Sequence, residues 1–180
     1  MTQLQTSRPA LRLVHGANAV PAEVEWTWFC GHCAAPSPSS SPPPPTARVC
    51  TSCGLGLLLE TRADTAPDPR DAFLVVDTSL LVQAMSRRAQ ALLELTEAEA
   101  VNRPAAELLV AADAEAASSS SFARAIVSAA GGAQEAISAV VRPWNTFGVR
   151  MRAKIAPCGP PRAALVVLED QQSRRLRAVD

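Results

Sequence analysis

The clearest alternation of apolar and polar residues in this chain runs through positions 146–156. The apolar set is Phe147, Val149, Met151, Ala153 and Ile155, and the polar set includes Arg150, Arg152 and Lys154. Because successive side chains of a strand point to opposite faces, this pattern predicts a strand with one buried face. The three basic residues then form a row on the outer face, which is either a solvated strand face or a docking patch for an acidic partner or nucleic acid.

The next strand-like run, residues 163–168, is apolar at every position. This composition is typical of a central strand that is covered on both faces. We expect helices of the same domain to cover one face. The other face needs cover from the N-terminal segment, from the cysteine-containing segment described below, or from a second subunit.

Two further strands are predicted over residues 72–77 and 80–85, separated by a turn at Thr78 and Ser79. A helical middle follows them, and three strand-like segments lie between residues 134 and 169. Two strands, a helical middle and three strands predict a half-wrapped antiparallel sheet of five strands with helices on one face. The expected fold class is therefore α+β.

Two helices stand out in the predicted helical middle. One, over residues 86–93, is implied by the family resemblance described below, and Ser86 is a good N-cap residue for it. The other contains apolar residues at helical spacing, Phe122, Ile126 and Ala129. We expect the serines at 118–121 to cap its start and the glycines at 131–132 to end it.

The most specific motif in the chain is a pair of Cys-x-x-Cys turns, formed by Cys30, Cys33, Cys50 and Cys53. Two such turns present four thiolates tetrahedrally, an arrangement that suits Zn²⁺. Iron and a pair of unrelated free-thiol turns are the alternatives. With four sulfur ligands the site is closed to water, so the expected role of the metal is structural.

His32 lies inside the first cysteine turn, and we expect it to face solvent rather than to bind the metal. Trp26 and Trp28 precede this turn. They either pack around the metal loop or form an exposed aromatic binding face. A glycine at residue 54 or 56 allows positive φ after the second turn and lets backbone N–H groups point at the sulfurs.

The remaining segments suggest a simple domain layout. Residues 1–25 are expected to be a flexible tail or a short helix packed on the later domain, and 171–180 a C-terminal tail. The Pro/Ser-rich stretch 36–46 predicts an exposed extended loop, either a tolerated insertion or a proline-rich docking motif. Residues 61–70 are the expected linker between a module at 26–60 and a domain at 71–170.

Composition and charge narrow the function classes. The formal net charge is +0, so the chain lacks the strongly basic balance of a typical nucleic-acid-binding protein. No apolar run approaches the roughly 20 residues of a membrane span, and the N-terminus lacks a secretory pattern. We therefore expect a cytoplasmic protein without a membrane segment, whose five cysteines are metal ligands or buried thiols.

Four short pieces of residues 71–170 occur in a recognisable order. They are the strand 72–77, Ser86 at the start of a helix, Asn102 before Arg103 and Pro104, and the acidic pair Glu169-Asp170. In this order they resemble the PAS family of sensor domains, in which Asn stands at the position of Ser86 and Gly at that of Asn102. Residues 26–60 resemble a zinc ribbon. The resemblance implies a domain that binds a small molecule or another protein.

A ligand pocket in such a domain would be lined by the apolar residues of the predicted strands and helices. The candidates are Phe73, Val75, Leu92, Leu108, Phe122, Ile126, Val149, Met151, Leu165 and Val167. Their role is open at this point, because plain core residues have the same composition as a ligand cage.

Catalysis is not expected. Both histidines, His15 and His32, lie outside residues 71–170, and general acid–base chemistry at neutral pH usually needs histidine or a tuned carboxylate pair. The missing histidine also excludes haem held by histidine in that domain. No glycine-rich phosphate loop follows a predicted strand. Cys158 is expected to be an unreactive thiol in a turn.

The sequence therefore predicts a cytoplasmic regulatory protein with a structural Zn²⁺ and no effector on the same chain. Its output would pass through association, as a homodimer or with a protein partner, across the sheet face. The alternative is a transcriptional regulator whose zinc ribbon binds nucleic acid. Arg48 is the only base between Glu25 and Glu60, too few for affinity dominated by phosphate contacts.

Overall fold

The computed structural model describes residues 24–37, 39, 41–112 and 117–169. The strands in these ranges are β1 (Trp26–Cys30), β2 (Leu58–Arg62), β3 (Ala72–Val76), β4 (Val82–Met85), β5 (Leu109–Ala111), β6 (Ile137–Pro143), β7 (Met151–Gly159) and β8 (Ala163–Glu169). The helices are α1 (Arg87–Leu93), α2 (Glu97–Ala100), α3 (Ala105–Leu108) and α4 (Ala117–Ala130). The two predicted tails, 1–25 and 171–180, lie outside the described residues except for residues 24 and 25.

All of these strands join one antiparallel sheet, so the prediction of five strands is wrong: the sheet has eight. The main path runs β1-β2-β7-β8-β3-β4, while β6 pairs with β7 and β5 pairs with β6. The five expected strands are β3, β4, β6, β7 and β8. The extra ones are the short β5 and the β1–β2 hairpin, which belongs to the cysteine-containing segment.

The hairpin joins the sheet because β7 is longer than its neighbour β6. Pairing with β6 ends at Ile155, whereas β8 pairs with β7 as far as Cys158. On the edge that β6 leaves open, Thr61 and Glu60 of β2 pair with Cys158 and Gly159. Unpaired backbone groups at a sheet edge attract a further strand. Residues 61 and 62, expected in a linker, therefore belong to the sheet.

The strand predicted from residue 146 begins only at Met151. Phe147 is fully exposed and Val149 is 45% exposed, because residues 144–150 form a loop that contains Gly148 at φ 77°. Apolar–polar alternation needs a neighbouring strand to become a strand, and this loop has none. At the other end, Cys158 lies within β7 rather than in the turn that follows it.

Several local predictions for the helical middle are confirmed. Ser86 is the N-cap of α1, and its side chain accepts the N–H of Ala89. Asn102, which stands where PAS domains have glycine, has a left-handed backbone at φ 67°, a conformation that asparagine adopts more readily than most residues. The serines at 118–121 lie inside α4 instead of capping it. Serine costs a helix only a few tenths of a kcal/mol, roughly 0.5 relative to alanine.

The buried residues form two layers, one on each face of the sheet. On the inner face, Leu74, Ile155 and Val166 pack against residues of α1, α3 and α4. On the outer face, Phe73 and Leu165 pack against the cysteine-containing segment. The outer face of β8, whose cover the sequence left open, is thus covered in part by the same chain. In the described ranges, no helix has the length and hydropathy needed to cross a bilayer.

Candidate metal centre

The four cysteines of the predicted metal site lie together. The Sγ atoms of Cys30 and Cys53 are 3.7 Å apart and those of Cys33 and Cys50 are 3.9 Å apart. All four sulfurs lie within 4.8 Å of one another. A tetrahedral ion with metal–sulfur bonds of about 2.3 Å requires sulfur–sulfur distances of about 3.8 Å. The donor set therefore fits a tetrahedral, thiolate-binding ion.

Backbone N–H groups of both turns point at the sulfurs. The N–H groups of His32 and Cys33 lie 3.4 and 3.5 Å from Cys30 Sγ, and that of Gly56 lies 3.5 Å from Cys53 Sγ. The Gly56 contact lowers the pKa of the Cys53 thiol to about 6. Burial raises the pKa of Cys30. Four thiolates this close repel one another, so the cluster needs a cation to hold all four charges.

The two turns approach so closely that residue 56 has to be glycine. A Cβ at this position would overlap Cys30 Sγ and lie 2.7 Å from the Cβ of His32. Gly54 is favoured for a different reason, since its φ is +69°, and no atom lies near its missing Cβ. The positive φ predicted after the second turn is thus found at Gly54, whereas the reason for glycine at residue 56 is steric.

An apolar layer encloses the sulfur cluster. Cys30 and Cys50 are buried, and they pack with Trp28 and Leu58. The Trp28 side chain is therefore packing around the metal loop, which is one of the two predicted roles. Four sulfur ligands would fill the coordination of a tetrahedral ion and leave no position for water or substrate.

His32 does not face solvent, so that prediction is wrong. Its side chain is 12% exposed, and its Nδ1 donates to Oε2 of Glu97 in α2 at 3.1 Å. Its carbonyl oxygen accepts the backbone N–H of Arg87, the first residue of α1, at 3.0 Å. The first cysteine turn is thereby bonded to two helices that are distant in the sequence.

Glu97 is the functional residue that sequence reasoning missed. One carboxylate oxygen contacts His32, and the other accepts the backbone N–H of Met85 at 3.0 Å. The backbone N–H of Glu97 contacts Gln90 Oε1 at 3.3 Å. One side chain thus joins β4 to the cysteine turn. Its spacing of 65 residues from His32 left no local signal.

Two further contacts fix the cysteine module, by which we mean the described residues of 24–62, to the sheet. The rings of Phe29 and Phe73 meet edge to face at 5.7 Å and 78°, a favoured aromatic geometry. The buried hydroxyl of Thr61 donates to the carbonyl oxygen of Pro157 at 2.8 Å. Apolar packing, side-chain hydrogen bonds and the pairing of β2 with β7 therefore all hold the cysteine module against the sheet.

Solved structures similar to this chain include three PAS domains of 12–15% identity. The PAS domain of nitrogen regulation protein NR(II) from Vibrio parahaemolyticus has a TM-score of 0.42 at 12% identity, over 56% of this chain and 88% of that one. A PAS domain from Colwellia psychrerythraea has a TM-score of 0.45 at 15% identity, over 58% and 88% of the two chains. The PAS domain of an HTR-like protein from Haloarcula marismortui has a TM-score of 0.40 at 15% identity, over 56% and 80%. Neither a protein-family model nor a curated protein matches the chain.

Within residues 72–169 two strands are followed by a middle of four helices and the short strand β5, and then by three strands. Apart from β5, this is the order that the resemblance to PAS domains implies. Residues 72–169 have a PAS-like fold. In this PAS-like domain, β3, β8, β7 and β6 lie side by side with β4 at the edge. The cysteine module lies on the face of the sheet opposite to α4, and its hairpin continues the sheet past β6.

The apolar residues predicted to line one pocket of the PAS-like domain are divided between three places. Leu108, Phe122 and Ile126 are buried in the inner layer, and Leu92 and Met151 lie at its margin. Phe73, Val75, Leu165 and Val167 lie in the outer layer. Val149 is in the exposed loop. Alternation explains the separation, because odd-numbered residues of β3 and β8 point away from the helices.

The three basic residues predicted to form one row do not share the same environment. Arg150 and Arg152 are exposed, whereas Lys154 is half-buried and its Nζ donates to the carbonyl oxygen of Asp64.

Cys158 is 6% exposed, and burial raises the pKa of its thiol to about 12. The thiol is therefore protonated at neutral pH and poorly reactive, since the thiolate is the nucleophile.

Proposed function

We propose that this chain is a non-catalytic, cytoplasmic regulatory protein in which a structural Zn²⁺ holds a cysteine module against a PAS-like domain. Output passes through association with a second copy or with a protein partner. The observation that carries the proposal is the docking of the first cysteine turn on the PAS-like domain through Glu97 and Arg87. A change of shape in the cysteine module is therefore transmitted to the PAS-like domain, and a change in the domain is transmitted to the module.

Zinc is favoured over iron by the role of the site. Thiolates suit both metals, but Zn²⁺ has no redox chemistry and no geometric preference of its own. A tetrahedron of four sulfurs leaves no reactive position, which supports a structural ion. In this structure the four ligands come from turns whose backbone N–H groups already stabilise thiolate charge.

One observation favours the hypothesis that the chain binds nucleic acid. Arg150 and Arg152 remain exposed on the loop and on β7. Against it, Lys154 donates to the carbonyl oxygen of Asp64, so the basic patch is reduced to two residues. Phosphate-dominated binding usually needs several such contacts. We therefore prefer the regulatory hypothesis. The salt dependence of binding to random DNA and RNA distinguishes it from the nucleic-acid-binding hypothesis.

Native mass spectrometry of the protein purified from its own host tests the proposal. We expect one zinc ion per chain, together with a dimer mass or a stoichiometric protein partner, because the proposed output is association. Replacing Arg150 and Arg152 by glutamine tests the docking patch, and Arg162→Gln in the exposed β7–β8 turn is the matched control. A zinc-loaded monomer that carries neither partner nor second copy contradicts the proposal.

A further inference from the structure

A cleft lies between the first cysteine turn and the start of α1. Its volume is about 430 Å³, within the range of small-molecule sites, roughly 300–1,000 Å³. His32, Cys33 and Ala34 line one side, and the PAS-like domain lines the other. We propose that this cleft binds a small organic anion, with an apolar body and one carboxylate or phosphate group. The inference deepens the proposed function, on which it rests for the role of the ligand as input.

Two arginines give the cleft its charge. Arg87 and Arg88 line it and are exposed. Neither guanidinium forms a hydrogen bond or an ion pair with any residue that the structure describes. Adjacent guanidinium groups offer planar forks of N–H donors that match a carboxylate or a phosphate. Their charge is thus available for a ligand.

The only acid among the lining residues is already engaged. Asp71 Oδ2 accepts the backbone N–H of Asp68 at 2.8 Å. Two positive charges against one hydrogen-bonded carboxylate leave the cleft net positive. This balance favours an anion over a cation or a zwitterion.

The helix backbone does not supply the site. The N–H of Arg87 donates to the carbonyl oxygen of His32, and that of Ala89 donates to Ser86 Oγ. These two N–H groups of α1 are therefore occupied, and the arginine side chains carry the recognition.

The apolar part of the cleft sets the second requirement on the ligand. Pro69 and Ala91 are exposed and supply apolar surface to the cleft, whereas its lining residues Phe73 and Ala34 are buried. An aromatic or aliphatic body can cover this surface while its charged group reaches the arginines. Such a ligand touches the cysteine turn and α1 at once. Its binding therefore stabilises the docked state of the two parts.

The test is isothermal titration of the full, zinc-loaded chain with three probes: phenyl phosphate, benzoate and inorganic phosphate. We expect saturable binding of phenyl phosphate or benzoate, weaker binding of inorganic phosphate, and higher thermal stability with the bound probe. The double variant Arg87→Gln, Arg88→Gln should weaken binding by at least about tenfold, as the loss of charge-assisted hydrogen bonds predicts. Arg124→Gln with Arg162→Gln, two exposed arginines away from the cleft, is the matched control and should bind as the parent does.

Each outcome separates the site from the proposed function. The ratio of phenyl phosphate to benzoate affinity decides between phosphate and carboxylate as the preferred group. No saturable binding of any probe, or equal weakening in the control variant, overturns the site. Binding of a glutamate-rich peptide alone also overturns it, since the cleft is then a protein-docking surface. Saturable binding that leaves the subunit count unchanged upholds the site and contradicts its role as input.

Discussion

A methyl group at residue 56 has no room between the two cysteine turns. The Cβ would overlap Cys30 Sγ and press on His32, so the turns would have to separate and the sulfur tetrahedron would open. Close packing of this kind is a constraint that metal-ligand spacing alone does not reveal. At this scale the metal centre depends on the residues around the ligands as much as on the ligands.

We expect Gly56→Ala to lose its metal, because the four sulfurs can no longer meet at one ion. Elemental analysis should find well below one zinc per chain, and thermal unfolding should occur at a lower temperature. Gly54→Ala is the control, since its Cβ meets no atom and only its backbone is strained, by about 1 kcal/mol. It should keep its metal. A Gly56→Ala chain with one zinc and parental stability refutes this view of the turns.

Some residue-scale features were predictable because their physics is local. Ser86 caps α1 and Asn102 takes a left-handed backbone, and both preferences act within a few residues. The Cys-x-x-Cys spacing is local in the same sense. The His32–Glu97 contact was not predictable, because it joins residues 65 positions apart and depends on how the cysteine module docks.

Among the secondary-structure elements, α2 joins two parts that are distant in the sequence. It is four residues long, too short to be stable alone, and a capping box between Thr96 and Glu99 closes its first turn. Its residue Glu97 binds the backbone of β4 and the ring of His32. The helix thus connects the edge strand β4 to the first cysteine turn.

The variant Glu97→Ala tests this connection between β4 and the first cysteine turn. The buried N–H of Met85 loses its acceptor and His32 loses its partner, so the free energy of unfolding should fall by about 1–3 kcal/mol. Chemical denaturation followed by circular dichroism measures the change. Glu107→Ala in α3 is the control, because its pair with Arg103 is exposed and should contribute less than about 1 kcal/mol. Equal losses in both variants would show that Glu97 has no special role.

Element types were easier to predict than element partners. The strands β3, β4 and β8 were found from apolar runs, because a buried strand needs them. The start of β7 was misplaced, since alternation continues through the loop at 144–150 that lacks a neighbouring strand. The β1–β2 hairpin was seen as part of a separate ribbon. Its pairing with β7 depends on the length of β6, which no single segment encodes.

At the scale of the whole molecule, the cysteine module covers the outer face of the PAS-like sheet. Phe29, Ala34 and Leu59 lie in the same buried cluster as Phe73 and Leu165. An ion held by the four cysteines would therefore support a core that is distant from it along the chain. Metal loss should loosen the module and expose apolar side chains of β3 and β8 to water.

Hydrogen–deuterium exchange of the full chain, with zinc bound and after chelation under reducing conditions, tests this coupling most directly. Removal of the metal should speed exchange in residues 26–60 and also in β3, in β8 and at residues 157–159, because the outer face loses its cover and β7 loses its partner β2. A rise confined to residues 26–60, with β3 and β8 protected as in the zinc-bound chain, would contradict the account.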